Sequence, residues 1–208
     1  MPSSADAFYF DLASPLAYLA AERVLHVLPR AAEWRPVLAR DLPAARTFAF
    51  RCAAEEEALR EDVARRVREL GLQPLRWPEP FPFDSSLAMR VASYARSIGR
   101  TVPFAQAAFR QAFAGGRSLA EPDNVLIAAA ACEMHPSAVL KGAEMRSVGD
   151  QLRTATQAAA ELGVREVPAV RVGTMVFQGE GSPEQAAAYI RGERERPEGS
   201  LAGGGLGL

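Results

Sequence analysis

A redox pair is the first thing this chain lacks. It holds two cysteines, Cys52 and Cys132, far apart and in no Cys-x-x-Cys motif. Disulfide exchange needs attacking and resolving sulfurs within about one helical turn of each other, so ordinary dithiol chemistry is excluded. Cys132 lies in the apolar run from Leu126 to Met134 and reads as a small core residue, and Cys52 has no better claim to reactivity. Histidine is as scarce. His26 falls on the polar side of the first expected helix and His135 precedes Pro136 at a helix end; neither has cysteine or carboxylate at ligand spacing, so no metal site is expected. Long apolar runs are also missing: no stretch approaches the ~20 apolar residues of a membrane span, and Met1 to Ala7 has neither the basic nor the apolar region of a signal peptide. A cytoplasmic protein without membrane contact is the expectation. Charge of one sign is absent too. Lys and Arg total 24 against 25 Asp and Glu, a net charge of −1, which leaves no field to draw nucleic acid. The densest basic cluster, Arg65, Arg66 and Arg68, follows Glu55, Glu56, Glu57, Glu61 and Asp62. That order complements a helix dipole and sets Glu61–Arg65 and Asp62–Arg66 at i,i+4, the pattern of a solvated helix face.

What is present is a foldable chain: 208 residues, 49% hydrophobic and 24% charged, enough for one large or two small globular domains with a substantial core. Phe8-Tyr9-Phe10 reads as a short strand that runs into a helix over about 15–28, with Ser14 at the joint and Pro15 at the first helical position, where its missing N–H costs nothing. Glu33 to Leu38 reads as a second strand. From about Arg40 to Gly163 the pattern is helical: Leu59, Val63, Val67 and Leu70; Leu87, Val91, Ala95 and Ile98; Phe104, Ala108 and Ala112; Val125, Leu126 and Ala129 behind Pro122; Val148, Leu152, Ala159 and Leu162. Strand signals return over Val167–Val172 and Met175–Phe177, joined by Gly173-Thr174 in a type II′ turn. Ser182-Pro183-Glu184-Gln185 then combines an N-cap, a proline at N1 and a capping-box glutamine. The charged, glycine-rich segment 193–208 reads as a flexible tail.

The ordered set of Phe8 to Ala20, Trp77-Pro78-Glu79-Pro80-Phe81-Pro82-Phe83-Asp84 and Val167-Pro168 resembles the DsbA-like branch of the thioredoxin superfamily. Within it the chain is similar to the 2-hydroxychromene-2-carboxylate isomerases and kappa-class glutathione transferases, over roughly residues 7 to 192. The resemblance implies an α/β, thioredoxin-like βαβ…ββα fold, discontinuous over 1–39 and 164–192, with a large all-helical insertion over 40–163 lying above the Ser14 and Pro168 edge. It implies a cis Val167–Pro168 bond, and glutathione or another low-molecular-weight thiol as cofactor, bound by Val167, Pro168, Gly179, Glu180, Gly181 and Ser182. Ser14 would be the catalytic group, stabilising the thiolate; Trp77, Phe83 and Asp84 would meet a small aromatic substrate. Relatives are often homodimers. The implied activity is isomerisation of an aromatic enone-type acid by thiol addition, bond rotation and elimination. The alternatives are a non-catalytic thioredoxin-like binding module or an oxidoreductase-like protein without the dithiol.

Each residue also has a plainer role open to it. Ser14 caps a helix, worth about 1 kcal/mol. Asp84, where these isomerases usually carry asparagine, precedes Ser85-Ser86-Leu87 as a helix N-cap. Trp77, Phe81 and Phe83 suit a domain interface. Ser182 caps the last helix. Against the family pattern, Gln178 replaces a tryptophan, Gly181 an acidic residue and Ser182 an arginine, while Gly179 and Glu180 are kept.

Overall fold

The computed structural model describes residues 5–44 and 53–193. The chain opens with β1 (Ala7–Phe10), α1 (Pro15–Val27), β2 (Glu33–Pro36) and a single 3-10 turn (Ala39–Asp41). Six helices follow: α2 (Ala53–Glu69), α3 (Ser86–Ser97), α4 (Thr101–Phe113), α5 (Pro122–Ala130), α6 (Pro136–Glu144) and α7 (Arg146–Glu161). The chain then returns through β3 (Ala169–Val172), β4 (Met175–Gln178) and α8 (Ser182–Ile190).

All four residues of β1 are buried, the mark of a strand covered on both faces. Side chains alternate across it. Phe8 and Phe10 turn to one face, against Trp34 with ring centroids 4.9 and 5.7 Å away, and join the main core with α1 and the helical block. Ala7 and Tyr9 turn to the other, against Val37, Leu42, Ala159, Val164 and Ala169. The sheet order is β2-β1-β3-β4. β1 pairs β2 in parallel and β3 antiparallel, with Tyr9 opposite Ala169, and β3 pairs β4 antiparallel, with Ala169 opposite Gln178. The end of β1 and the start of β3 therefore share one edge of the sheet. The next rung beyond Tyr9 and Ala169 puts Pro168 beside the exit of β1, and the Gly179 N–H donates to the Pro168 carbonyl at 2.9 Å. In the β3–β4 hairpin Gly173 has φ +59 and Thr174 no positive φ, as a type II′ turn requires.

Several elements differ from expectation. β3 begins at Ala169, not Val167, because Pro168 has no N–H for the ladder. β2 stops at Pro36: the Leu38 N–H is taken by Thr156 Oγ1 at 2.9 Å. The helical block contains α6, which the periodicity did not separate; His135 starts it, its Nδ1 accepting the Ser137 N–H at 3.3 Å, so this histidine opens a helix rather than closing one. Ile98 is 47% exposed at the end of α3, whose buried face is Ala88, Met89, Val91, Ala92 and Ala95. Arg66 pairs with Asp62 at 2.9 Å as expected, but Arg65 reaches Asp62 and Glu69 rather than Glu61. Cys132 is buried, its Sγ against the Ala128 carbonyl at 3.3 Å, and burial pushes its thiol up. Cys52 and the tail beyond Glu193 lie outside the described residues. Among the described residues no helix is long and apolar enough to cross a membrane.

Candidate active site

β1 passes straight into α1 through residues 11–14. Ser14 has the extended backbone of an N-cap, φ −90 and ψ 113, and Pro15 follows with no N–H to satisfy. Ser14 Oγ accepts the Ala17 N–H at 3.1 Å, and the Ser14 carbonyl accepts the Tyr18 N–H at 3.1 Å. A hydroxyl has one hydrogen and two lone pairs. Capping uses a lone pair, so among the described residues the Ser14 hydrogen remains to be given. Helix cap and hydrogen-bond donor are compatible roles for this buried side chain.

Asp11, not foreseen as a site residue, organises the surroundings. Its Oδ1 accepts the Ala13 N–H at 3.0 Å and the Ser85 hydroxyl at 2.8 Å, and its Oδ2 accepts the Ala39 N–H at 2.9 Å. Three segments converge on one carboxylate: the Ser14 loop, the 3-10 turn and the entry to α3. Asp11 is 4% exposed. Burial raises its carboxyl above the ordinary carboxylate value, and the hydrogen bonds from Ala13, Ala39 and Ser85 offset this only in part. The available sequence signal was an acid closing an apolar run three residues before a helix cap.

Asp84 stands at the same entry. The cap position of α3 belongs to Ser85, whose hydroxyl is turned to Asp11, while Asp84 Oδ1 accepts the Ser86 N–H at 2.9 Å and the Ser86 hydroxyl at 2.5 Å. Asp84 thus satisfies a first-turn amide from one residue further out. The Ser86 hydroxyl and N–H hold its carboxyl below the usual range. Arg40 Nη1 lies 3.5 Å from Asp84 Oδ1 and 2.9 Å from Ser86 Oγ. Trp77, Phe81 and Phe83 join Phe113 and Tyr18 in one aromatic cluster, with Trp77–Phe81 centroids at 4.8 Å, Phe83–Phe113 at 6.4 Å and Tyr18–Phe113 at 5.7 Å. The Arg60 guanidinium covers the Trp77 ring at 4.7 Å. These rings tie the 77–83 segment to α1 and α4. Phe83, next to Asp84, carries the cluster to the loops held by Asp11.

Across the sheet edge, the Val167–Pro168 bond is cis. Among the described residues the Val167 N–H and C=O make no hydrogen bond. Gln178 Oε1 accepts the Arg165 and Glu166 N–H groups at 2.7 and 3.1 Å, which holds this loop against β4. Gly179 takes φ +85 where the chain turns out of β4. The Glu180 carboxylate is already committed: Oε1 lies 2.5 Å from Arg23 Nη2 and Oε2 2.9 Å from Arg66 Nη1. Arg23 also grips Glu184 through two nitrogens, at 2.8 and 3.1 Å. Ser182 does not make the cap expected of it. Gly181 occupies the cap position, Ser182 lies inside the first turn of α8, fully buried, and among the described residues its hydroxyl has no hydrogen-bond partner. The Gly179 turn causes this by taking the Ser182 N–H at 3.0 Å, which starts the helix one residue early.

Comparison with known proteins agrees with this architecture. Among solved structures, a 2-hydroxychromene-2-carboxylate isomerase superposes with TM-score 0.79 at 17% identity, over 90% of this chain and 95% of that one. A probable DsbA oxidoreductase from Streptomyces coelicolor gives TM-score 0.69 at 17% identity, over 93% and 92%. The cytosolic disulfide reductase DsbM from Pseudomonas aeruginosa, in its structure with GSH, gives 0.63 at 12% identity, over 90% and 98%. At these identities the likeness establishes the fold alone. A comparison with curated proteins finds no match. The sequence model of the DSBA-like thioredoxin domain matches residues 7–191, nearly the whole described chain, and the chain belongs to that family.

Proposed function

We propose that this protein is a thiol-dependent isomerase resembling 2-hydroxychromene-2-carboxylate isomerase, working with glutathione or another small thiol on an aromatic enone-type acid. The observation that carries the reading is Ser14. Where thioredoxin-fold redox proteins keep a cysteine, this chain has a hydroxyl that is anchored by Ala17 and, among the described residues, still has its hydrogen to donate. A bound thiol would supply reversible addition to a conjugated carbon, so that the former double bond turns as a single bond before the thiol leaves. Ser14 and the positive end of α1 favour the ionised sulfur. The N–H and C=O of Val167, unpaired among the described residues, suit the extended backbone of a peptide-like thiol. The chain's work is then orientation and charge stabilisation, with no net redox change. The far end of the ligand site is less like its relatives: Arg23 and Arg66 already neutralise Glu180, which is why the thiol is not restricted to glutathione. The same commitment favours, as second reading, a non-catalytic module that binds a ligand in this place.

Isothermal titration of glutathione into wild type and Ser14→Ala tests the first step. The expected result is binding in the millimolar range or tighter for wild type, weakened about 10-fold or more without the hydroxyl, since a hydrogen bond to a charged group contributes about 1.5–3 kcal/mol. Cis–trans isomerisation of an aromatic benzylidenepyruvate should exceed the rate of thiol alone in wild type only. Heat without that rate would favour the binding module; neither heat nor rate would remove the thiol reading.

A further inference from the structure

We propose that Arg40 recognises the carboxylate of an aromatic acid bound beside Ser14; the class of acid rests on the isomerase reading above. The placement comes from Asp11, whose carboxylate holds the Ala13 N–H with one oxygen and the Ala39 N–H with the other. The residue before Ser14 and the residue before Arg40 are therefore anchored on the same side chain, and Arg40 is carried at the rim of the Ser14 loop.

The guanidinium is under-used. Two other arginines of this chain show the full fork: Arg110 holds Glu22 at 2.8 and 2.9 Å, and Arg23 holds Glu184 at 2.8 and 3.1 Å. Among the described residues Arg40 makes its contacts through Nη1 alone, at 2.9 Å to Ser86 Oγ and 3.5 Å to Asp84 Oδ1. The second distance is well beyond the roughly 2.7–2.9 Å of a good charge-assisted bond. Asp84 does not close on Arg40 because the same Oδ1 is held by the Ser86 N–H and hydroxyl. The Nε and Nη2 edge, the part of the fork that matches a carboxylate bidentately, has no partner among the described residues. The Arg40 side chain is 54% exposed, so a ligand can reach it. Phe83, adjoining Asp84, is buried in the aromatic cluster behind that edge and fixes the backbone that carries Asp84. A carboxylate can use that edge as a fork, and the corresponding neutral ester cannot.

The test is binding without turnover. Cinnamate and its methyl ester, which share the ring and differ in charge, are titrated into wild type, Arg40→Gln, Arg40→Lys and Asp84→Asn. Wild type should prefer the acid about 10-fold. Arg40→Gln should erase that preference and leave ester affinity unchanged, Arg40→Lys should keep part of it, and Asp84→Asn, which removes the competing carboxylate, should tighten the acid several-fold. Equal binding of acid and ester by wild type, no binding of the acid, or an undiminished preference in Arg40→Gln would overturn the assignment. The readout needs neither thiol nor catalysis. An Arg40-dependent preference with no isomerase rate would sink the isomerase reading and leave this one standing; an isomerase whose KM for the acid ignores Arg40→Gln would do the reverse.

Discussion

Asp11 shows how one side chain shapes the candidate site. Its carboxylate accepts hydrogen bonds from three segments while sealed from water. Asp11→Asn can satisfy only part of that set, because the amide nitrogen would face a backbone N–H; a loss of about 1–3 kcal/mol is expected. The pH dependence follows from the sign of the shift. The folded-state carboxyl lies above the ordinary value of 3.8 because of burial. Its contribution to stability is therefore full below about pH 4 and fades as pH rises through the raised folded-state value. The stability gap between wild type and Asp11→Asn should be widest in acid and narrow toward neutrality in urea titrations. A gap that widens toward neutrality would mean that the hydrogen bonds outweigh burial. Ser14 was legible in the sequence because a serine–proline helix start is a local matter. Asp11 and Arg40 were not, since the partners that define Asp11 are 28 and 74 residues away and Arg40 meets Asp84 and Ser86 44 and 46 residues on.

Among the elements, α3 and α6 pack closely at a glycine. A Cβ on Gly142 would lie 2.4 Å from Tyr94 Cδ2 and within 2.7 Å of two further ring atoms. Gly142→Ala must push the ring or the helix aside, costing about 1–3 kcal/mol against the small gain in helix propensity. Chemical denaturation should show a lower midpoint at unchanged slope, and an unchanged midpoint would show that Tyr94 swings away freely. Periodicity located the longer helices but not α6, which offers only one apolar repeat, Val139 and Ala143, behind its proline. The cap of α8 was misread for a different reason. Ser-Pro-x-Gln is a good local start signal, but the Gly179 turn recruits the Ser182 N–H and Gly181 accepts the Gln185 N–H at 3.1 Å, leaving the serine hydroxyl inside.

Across the whole molecule the sheet and the helical block share one core. Phe10 of β1 and Tyr18 of α1 pack on Phe109 of α4 at 5.8 and 6.2 Å, and Trp34 of β2 lies in the same cluster as Val91, Ala105 and Leu152. Cores joined in this way unfold together. Two single-tryptophan variants, Trp77→Phe reporting from Trp34 and Trp34→Phe reporting from Trp77, should each show one fluorescence transition that coincides with loss of helical circular dichroism. A separate, earlier transition at Trp77 would show that the helical block unfolds by itself. The sequence by itself determined the βαβ, helices, ββα order, the serine–proline start of α1 and the lack of a dithiol, because these depend on periodicity, backbone restriction and spacing among near neighbours. Tertiary structure alone decided that Glu180 is occupied by Arg23 and Arg66, that Asp11 gathers three loops and that, among the described residues, Ser182 is buried without a partner and Arg40 keeps a free edge. Which donor meets which acceptor is set by where the backbone carries them, and in this chain hydrogen-bonded pairs lie up to 166 residues apart.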